Sequence, residues 1–100
     1  MKAIICQSFD HPSNLTLSET EAPAIADHEV LINVAATGLG YVDALTVSGL
    51  YQIKPPLPFI PGNEIAGTVI DAGVAVQNLK IGDRVIAMPS NGGLAEQISL

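Results

Sequence analysis

The sequence has 100 residues, of which 48% are apolar, so it is long enough for one folded domain with a buried core and too apolar for a disordered tail. Ten acidic residues against four basic ones give a net charge of −6, which disfavours nucleic acid and membranes as partners because nucleic acids and anionic lipids both require clustered Lys and Arg. A single cysteine excludes an internal disulfide framework and fits a reducing compartment, and no apolar run reaches the roughly 18 residues of a membrane span.

The N-terminal part of the chain predicts two strands and a long connection. Residues 2–7 form a short β-branched run and residues 15–19 alternate apolar and polar side chains, so both are predicted strands, joined by the turn-rich residues 10–14. Residues 21–28 form a polar, proline-bearing connection. The N-terminal apolar stretch is too short for a secretory signal, which supports its interpretation as the first strand.

The clearest strand pattern covers residues 29–36. Val30, Ile32 and Val34 share one face of an extended chain, and Leu31 is apolar on the other face. A strand that is apolar on both faces is typically central or sandwiched, so we expect this one near the middle of its sheet.

A short helix is predicted at residues 41–48. Gly49 follows it at the position that favours a helix C-terminus, and Asp43 lies in its first turn, where a carboxylate suits the helix dipole. The preceding residues 38–40 read Gly-Leu-Gly, the start of a dinucleotide-binding fingerprint, but the third glycine position is Asp43 and the helix is too short for the usual unit. We interpret these glycines as part of a loop that needs unusual backbone angles.

The most unusual stretch of the sequence is residues 55–69. Its first half is rich in proline, which excludes a helix, and its second half changes into a strand-like run in which Gly67 stands where a side chain would be in the way. The polar residues Asn63 and Glu64 lie between the halves. This arrangement predicts either a site built from two polar side chains or a plain proline-rich turn into a β-barrel.

The remaining elements complete a mainly β fold. Several short strands, regular turn spacing and one small helix predict a partly open β-barrel with one or two short helices. The further strands are expected at residues 64–71, 85–88 and 94–100, and the turns at residues 73–78, 81–84 and 91–93.

Five motifs, in order and at matching spacing, resemble the medium-chain dehydrogenase/reductases over nearly the whole chain. Leu-Pro-Phe-Ile-Pro-Gly at residues 57–62 is moreover similar to the quinone oxidoreductases of the zeta-crystallin type. The motifs are Pro-Gly-Asn-Glu-Ile-Ala-Gly-Thr-Val at residues 61–69, Ala-Thr-Gly-Leu-Gly-Tyr-Val-Asp-Ala at 36–44, Ser-Gly-Leu-Tyr at 48–51, Ile-Gly-Asp-Arg-Val at 81–85 and Gly-Gly-Leu-Ala-Glu at 92–96.

The resemblance implies that residues 1–100 form the GroES-like catalytic, substrate-side domain of a zinc-independent enzyme of this type. In such enzymes the Rossmann cofactor domain follows this segment, so we expect it to be absent from this chain. The parent is then expected to be a cytoplasmic homodimer that transfers a hydride from NADPH to a small quinone or enone. The isolated chain is expected to be inactive and to bind NADPH weakly or not at all.

The same resemblance predicts that no metal is bound. Zinc-dependent relatives carry a histidine ligand where this chain has Asn63. They also carry a cysteine ligand near the end of the strand that corresponds to residues 30–36, where this chain has none. Cys6, His11 and His28 lie in other segments, and we interpret them as one core residue and two loop residues. The four-cysteine structural lobe of some relatives is missing as well.

By resemblance, six residues line the cleft for substrate and nicotinamide. Without zinc, reduction of a conjugated carbonyl needs hydrogen-bond donors for the oxygen on which negative charge develops, a role that suits the Tyr51 hydroxyl, the Asn63 amide and backbone N–H groups. No general acid is assigned, because water can return the proton. The expected cleft residues are Gly40, Tyr41, Asp43, Tyr51, Asn63 and Glu64.

The cleft residues also have purely structural interpretations. Tyr51 would cap the core beside the prolines, Asn63 would satisfy the backbone of a turn, and Glu64 would anchor its strand or pair with Arg84. Asp43 would only start the helix, and Tyr41 would be a surface aromatic.

Two departures and two rival functions remain open. Related quinone reductases often carry Asn-Pro at positions 40–41 and Tyr at position 45, where this chain has Gly40-Tyr41 and Leu45, so the substrate and pocket shape are expected to differ from theirs. The rivals are a non-enzymatic GroES-like assembly module, recognisable by a seven-membered ring, and a zinc-free enoyl or alcohol reductase of other specificity.

Overall fold

The computed structural model describes all 100 residues. Its composition of six strands and one α-helix confirms the prediction of a mainly β fold, and the helix has the predicted bounds. The elements in chain order are β1 (Lys2–Ile5), a 3-10 helix (Pro12–Asn14), β2 (Thr16–Glu19), β3 (Val30–Thr37), α1 (Tyr41–Ser48), β4 (Ile65–Ala72), β5 (Arg84–Ala87) and β6 (Gln97–Ser99).

The main sheet has four antiparallel strands in the order β5-β4-β3-β6. β3 lies inside this sheet, as its apolar pattern on both faces predicts, and it buries Val30 and Ile32. These two side chains form the core together with Ile65 and Val69 of β4 and Ile98 of β6. The core is therefore built on the inner face of the three neighbouring strands.

A second sheet contains only β1 and β2. The segment that precedes β6 ties it to the main sheet, because the Ile4 N–H donates to the Leu94 carbonyl at 2.8 Å and the Val34 N–H donates to the Glu96 carbonyl at 2.8 Å. This double attachment explains why only the end of the predicted strand at residues 94–100 is strand β6: the residues before it bridge two different strands in turn.

Strand β1 is shorter than predicted because the chain changes partner after Ile5. Cys6 leaves β2 and pairs with Phe59 through two backbone hydrogen bonds of 2.8 and 3.1 Å. The Cys6 side chain is 1% exposed, which confirms its assignment to the interior, and this burial raises the pKa of its thiol. The pairing fastens the proline-rich segment to the N-terminal strand.

Close backbone contact between β3 and β4 depends on Gly67. A β-carbon at this position would collide with the Asn33 carbonyl and would lie 2.7 Å from the Ile32 Cγ2 methyl. The prediction that a side chain would be in the way here is confirmed. The pairing of β3 with β4 also contains two register shifts, which lie between Leu31 and Ile32 and between Val34 and Ala36.

Helix α1 ends as its sequence predicts. Gly49 adopts the left-handed conformation with φ of 74°, and its N–H donates to the Thr46 carbonyl at 3.2 Å, while the Leu50 N–H donates to the Leu45 carbonyl at 3.0 Å. At eight residues this is the longest helix in the fold, and none of the helices has the length and hydrophobicity that crossing a bilayer requires.

Candidate functional site

The proline-rich segment is held in place where it leads into β4. The Gly92 N–H donates to the Ile60 carbonyl at 2.7 Å, and the Leu94 N–H donates to the Pro61 carbonyl at 2.9 Å. Gly62 has φ of 106°, and a β-carbon there would lie 2.8 Å from the Leu94 nitrogen, so this close approach requires glycine. Hydrogen bonds from Gly92 and Leu94 therefore hold the backbone directly before Asn63 and Glu64 in place.

Glu64 is positioned by the end of β3. The Gly38 N–H donates to the Glu64 carbonyl at 3.0 Å, and a β-carbon on Gly38 would collide with the Glu64 side chain. Neither Gly38 nor Gly40 has a positive φ. The prediction that residues 38–40 need unusual backbone angles is thus wrong: Gly38 leaves room for the Glu64 side chain, and Gly40 has ordinary extended geometry.

Three of the expected site residues, Asp43, Tyr51 and Asn63, line one cleft of about 240 Å³. We call it the helix cleft, because one wall is the first part of α1. Another part of the lining comes from residues 88–91, which follow β5. Its lining residues are Val42, Asp43, Thr46, Tyr51, Ile53, Pro55, Asn63, Met88, Pro89, Ser90 and Asn91.

Glu64 lies in a neighbouring cavity of about 540 Å³, which we call the sheet trough. Met88 is 85% exposed and lines both cavities, so the two adjoin. Gly40 and Tyr41 line neither of them, and the Tyr41 side chain is 78% exposed. The trough is lined by Ala36, Gly38, Glu64, Ile65, Ala66, Ile86, Ala87 and Met88.

The Tyr51 hydroxyl and the Asn63 amide have no hydrogen-bond partner within the chain. No buried side-chain nitrogen or oxygen lacks a partner, so these polar groups are open to solvent. The interpretation that Asn63 satisfies the backbone of a turn is therefore wrong. Two side chains that can donate hydrogen bonds are available in the same cleft.

Asp43 has a structural contact as well as a place in the helix cleft. Its Oδ2 atom accepts a hydrogen bond from the Gly40 N–H at 2.9 Å, which confirms its interpretation as a helix-start residue. The residue is 9% exposed. The same carboxylate therefore fixes the start of α1 and forms part of the cleft wall.

The expected ion pair between Glu64 and Arg84 is not formed. The two ion pairs in the fold join the N-terminal amino group with Glu19 at 3.6 Å and Lys80 with Asp83 at 2.9 Å. Arg84 pairs with Thr68 in the sheet, four residues along β4 from Glu64. This separation along the strand, about 13 Å, places the two charges out of contact.

Sequence reasoning missed three polar residues of the helix cleft: Thr46, Ser90 and Asn91. Thr46 follows Asp43 by three residues on a helix, so the shared face was available as a signal. The Thr46 hydroxyl donates to the Val42 carbonyl at 2.7 Å. Residues 90 and 91 precede a glycine turn, and no local pattern distinguishes them from ordinary turn residues.

The chain's own residues do not form a metal site or a phosphate site. No three His, Cys, Asp or Glu residues are grouped closely enough to hold a metal ion. None of the four basic residues lines the helix cleft or the sheet trough, and Lys80 is already paired with Asp83. A dinucleotide's phosphates therefore find no cationic partner in either cavity.

Comparison with known proteins shows a consistent set of relatives. Residues 26–98 match the alcohol dehydrogenase GroES-like domain family. Quinone oxidoreductase-like protein 2 of Rattus norvegicus is 41% identical over 96 residues, which are 96% of this chain and 27% of that protein.

Solved structures of oxidoreductases have the same fold. A probable oxidoreductase from Mycobacterium abscessus matches with a TM-score of 0.93 at 39% identity, over 100% of this chain and 32% of that one. The quinone oxidoreductase of Escherichia coli in complex with NADPH matches with a TM-score of 0.92 at 30% identity, over 100% and 31% of the two chains. The GroES-like, partly open barrel is thereby confirmed, and the chain spans about a third or less of the length of these relatives.

Proposed function

Since this chain belongs to the alcohol dehydrogenase GroES-like domain family of the medium-chain dehydrogenase/reductases, we propose that it is the substrate-side domain of an NADPH-dependent quinone or enone reductase. The relatives extend well beyond the matched segment, which supports a parent with a separate Rossmann domain for the cofactor. A cytoplasmic homodimer is the form that the resemblance implies for that parent.

The observation that carries the proposal is the pair of unpartnered polar side chains in the helix cleft. The Tyr51 hydroxyl and the Asn63 amide can both donate a hydrogen bond to a carbonyl oxygen of the substrate. Such donors stabilise the negative charge that develops on this oxygen as a hydride is added to the conjugated system. NADPH, when bound by the parent, supplies that hydride.

The apolar part of the cleft wall suits a flat conjugated ring. Ile53 and Pro55 lie beside Tyr51, and Met88 contributes a flexible thioether that adapts to ligands of different shape. These residues bind and orient the ring while the two donors hold its oxygen. Water returns the proton, so the chain needs no dedicated general acid.

Zinc has no place in this proposal. A catalytic zinc site needs three converging protein ligands, and Asn63 stands where zinc-dependent relatives carry histidine. With Asn63 as an amide donor, polarisation of the carbonyl falls to hydrogen bonds. Gly40, Tyr41 and Glu64 stay predictions for the cleft that takes substrate and nicotinamide.

Kinetics of the full-length parent test the proposal. NADPH oxidation is followed with 1,4-naphthoquinone and with a small enone, for the wild type and for Tyr51→Phe and Asn63→Ala. We expect each variant to lose about ten- to a hundredfold in kcat/KM, because one donor to the developing oxyanion is removed. Asn33→Ala is the matched control, since Asn33 is exposed on β3 and lines neither cavity.

Two results would count against the proposal. The first is that no conjugated carbonyl compound serves as an acceptor when the full-length parent is assayed for NADPH oxidation. The other is a pair of variants, Tyr51→Phe and Asn63→Ala, whose kcat/KM equals that of Asn33→Ala. The second result would leave the proposed reductase activity unaffected, but it would show that Tyr51 and Asn63 are not the hydrogen-bond donors to the substrate oxygen.

A further inference from the structure

The helix cleft carries a charge of one sign only. Among its eleven lining residues, Asp43 is the one carboxylate and none is basic or histidine. Lys54 is the basic residue nearest to the lining residues in sequence, but its side chain is exposed and makes no ion pair with Asp43.

The negative charge of Asp43 is also fixed in position. Its Oδ2 atom accepts the Gly40 N–H at 2.9 Å, and this contact holds the carboxylate on the first turn of α1. The hydroxyl of Thr46, on the same helix face, donates to the Val42 carbonyl and not to Asp43. The second carboxylate oxygen thus accepts no hydrogen bond within the chain.

The second oxygen of Asp43 is accessible to solvent. No buried side-chain oxygen in the fold lacks a partner, so an oxygen without a partner must be accessible to solvent. Asp43 is 9% exposed and lines the helix cleft, so the cleft is where a ligand can approach its carboxylate. A ligand that enters therefore meets a negative charge that no cationic side chain of the lining neutralises, in the cleft that also holds the two hydrogen-bond donors.

We propose that Asp43 is a specificity-determining residue, which makes the helix cleft select uncharged conjugated carbonyl compounds and reject those that carry an anionic group near the reacting ring. This inference rests on the proposed reductase function. Two like charges a few ångströms apart in a partly desolvated site repel strongly, and such repulsion is a common means of discriminating between ligands.

The developing charge of the reaction does not conflict with this role. The carbonyl oxygen is held by the Tyr51 and Asn63 donors, and any effect of Asp43 on that oxygen is the same for a neutral substrate and for its anionic analogue. The ratio of the two kcat/KM values removes this common effect. What remains is the interaction of Asp43 with the additional charge.

The test uses the full-length parent with 1,4-naphthoquinone and 1,4-naphthoquinone-2-sulfonate, which differ by one anionic group. Asp43→Asn removes the charge and keeps a side-chain oxygen for the Gly40 N–H. Ser90→Lys places a cation elsewhere in the cleft lining and leaves the residues at the start of α1 unchanged. Asp71→Asn is the control, because it makes the same change in net charge at an exposed site on β4 outside both cavities.

We expect Asp43→Asn to raise the sulfonate-to-neutral ratio of kcat/KM about tenfold, equivalent to about 1.4 kcal/mol. Ser90→Lys should change the ratio in the same direction, and Asp71→Asn should leave it unchanged. The effect should shrink as salt is added. If both quinones are reduced but neither cleft variant changes the ratio, the inference is overturned. If the wild type reduces neither the quinones nor the small enone, the proposed function is wrong and the inference is wrong with it.

Discussion

Two glycines, Gly67 within β4 and Gly38 directly after β3, leave room for different kinds of neighbour. Gly67 faces the backbone of β3, whose Asn33 carbonyl cannot move without breaking the sheet, whereas Gly38 faces the flexible, exposed side chain of Glu64. The role of Gly67 was predictable, because glycine interrupts a run of β-branched residues. The role of Gly38 was not, since its neighbour is 26 residues further along the chain.

This difference predicts unequal costs for the same substitution. Gly67→Ala should lower the free energy of unfolding by about 1–3 kcal/mol, because the new methyl group overpacks fixed backbone. Gly38→Ala should cost less than about 1 kcal/mol, since Glu64 can rotate away. Urea denaturation of the two variants measures both values. Equal losses would mean that the contact between β3 and β4 is more adaptable than the structure shows.

At the scale of elements, the local sequence determines helix α1 fully and strand β6 only in part. The helix was predicted with its observed bounds, because Gly49 and Asp43 provide signals at both ends. Strand β6 is shorter than predicted, because the residues before it divide their hydrogen bonds between β1 and β3. Such a division depends on tertiary contacts, which no local pattern contains.

Strand β5 lies at the edge of the main sheet, and two of its side chains predict different effects on the free energy of unfolding. Val85 packs against the core, whereas Ile86 points outward and is 86% exposed. Val85→Ala should therefore lower the free energy of unfolding by about 1–1.5 kcal/mol, at about 0.8 kcal/mol for each buried methyl group removed. Ile86→Ala should change it by less than about 0.5 kcal/mol. Both are measured by urea denaturation, and a larger loss at Ile86 would contradict the orientation of β5.

For the molecule as a whole, the fold was predictable and the site only in part. Asn63 and Glu64 are adjacent in sequence and were expected in one cleft, but they line different cavities. Asn63 lies in a bend before β4 begins at Ile65, and such a bend lets neighbouring side chains turn towards different cavities. Asp43 and Tyr51 do join Asn63, although distant in sequence, because α1 and the proline-rich segment meet there.

Neither cavity is lined by a basic residue, and this predicts how strongly the isolated domain binds NADPH. Without a cationic partner for the phosphates in either cavity, residues 1–100 should bind NADPH weakly or not at all, whereas the full-length parent should bind it tightly. Isothermal titration calorimetry with both proteins makes the comparison. Micromolar binding to residues 1–100 alone would show that this domain holds the nucleotide by contacts other than charge.

Met88 lines both the helix cleft and the sheet trough with a single unbranched side chain. A thioether of this kind swings between rotamers at little cost, so a bulky ligand can push it aside and occupy space on both sides. Its exposure also makes it accessible to oxidants. Oxidation to the sulfoxide would replace a flexible apolar side chain in the lining of both cavities by a polar one. Oxidative damage would then change which molecules fit the protein before it changed whether the protein folds.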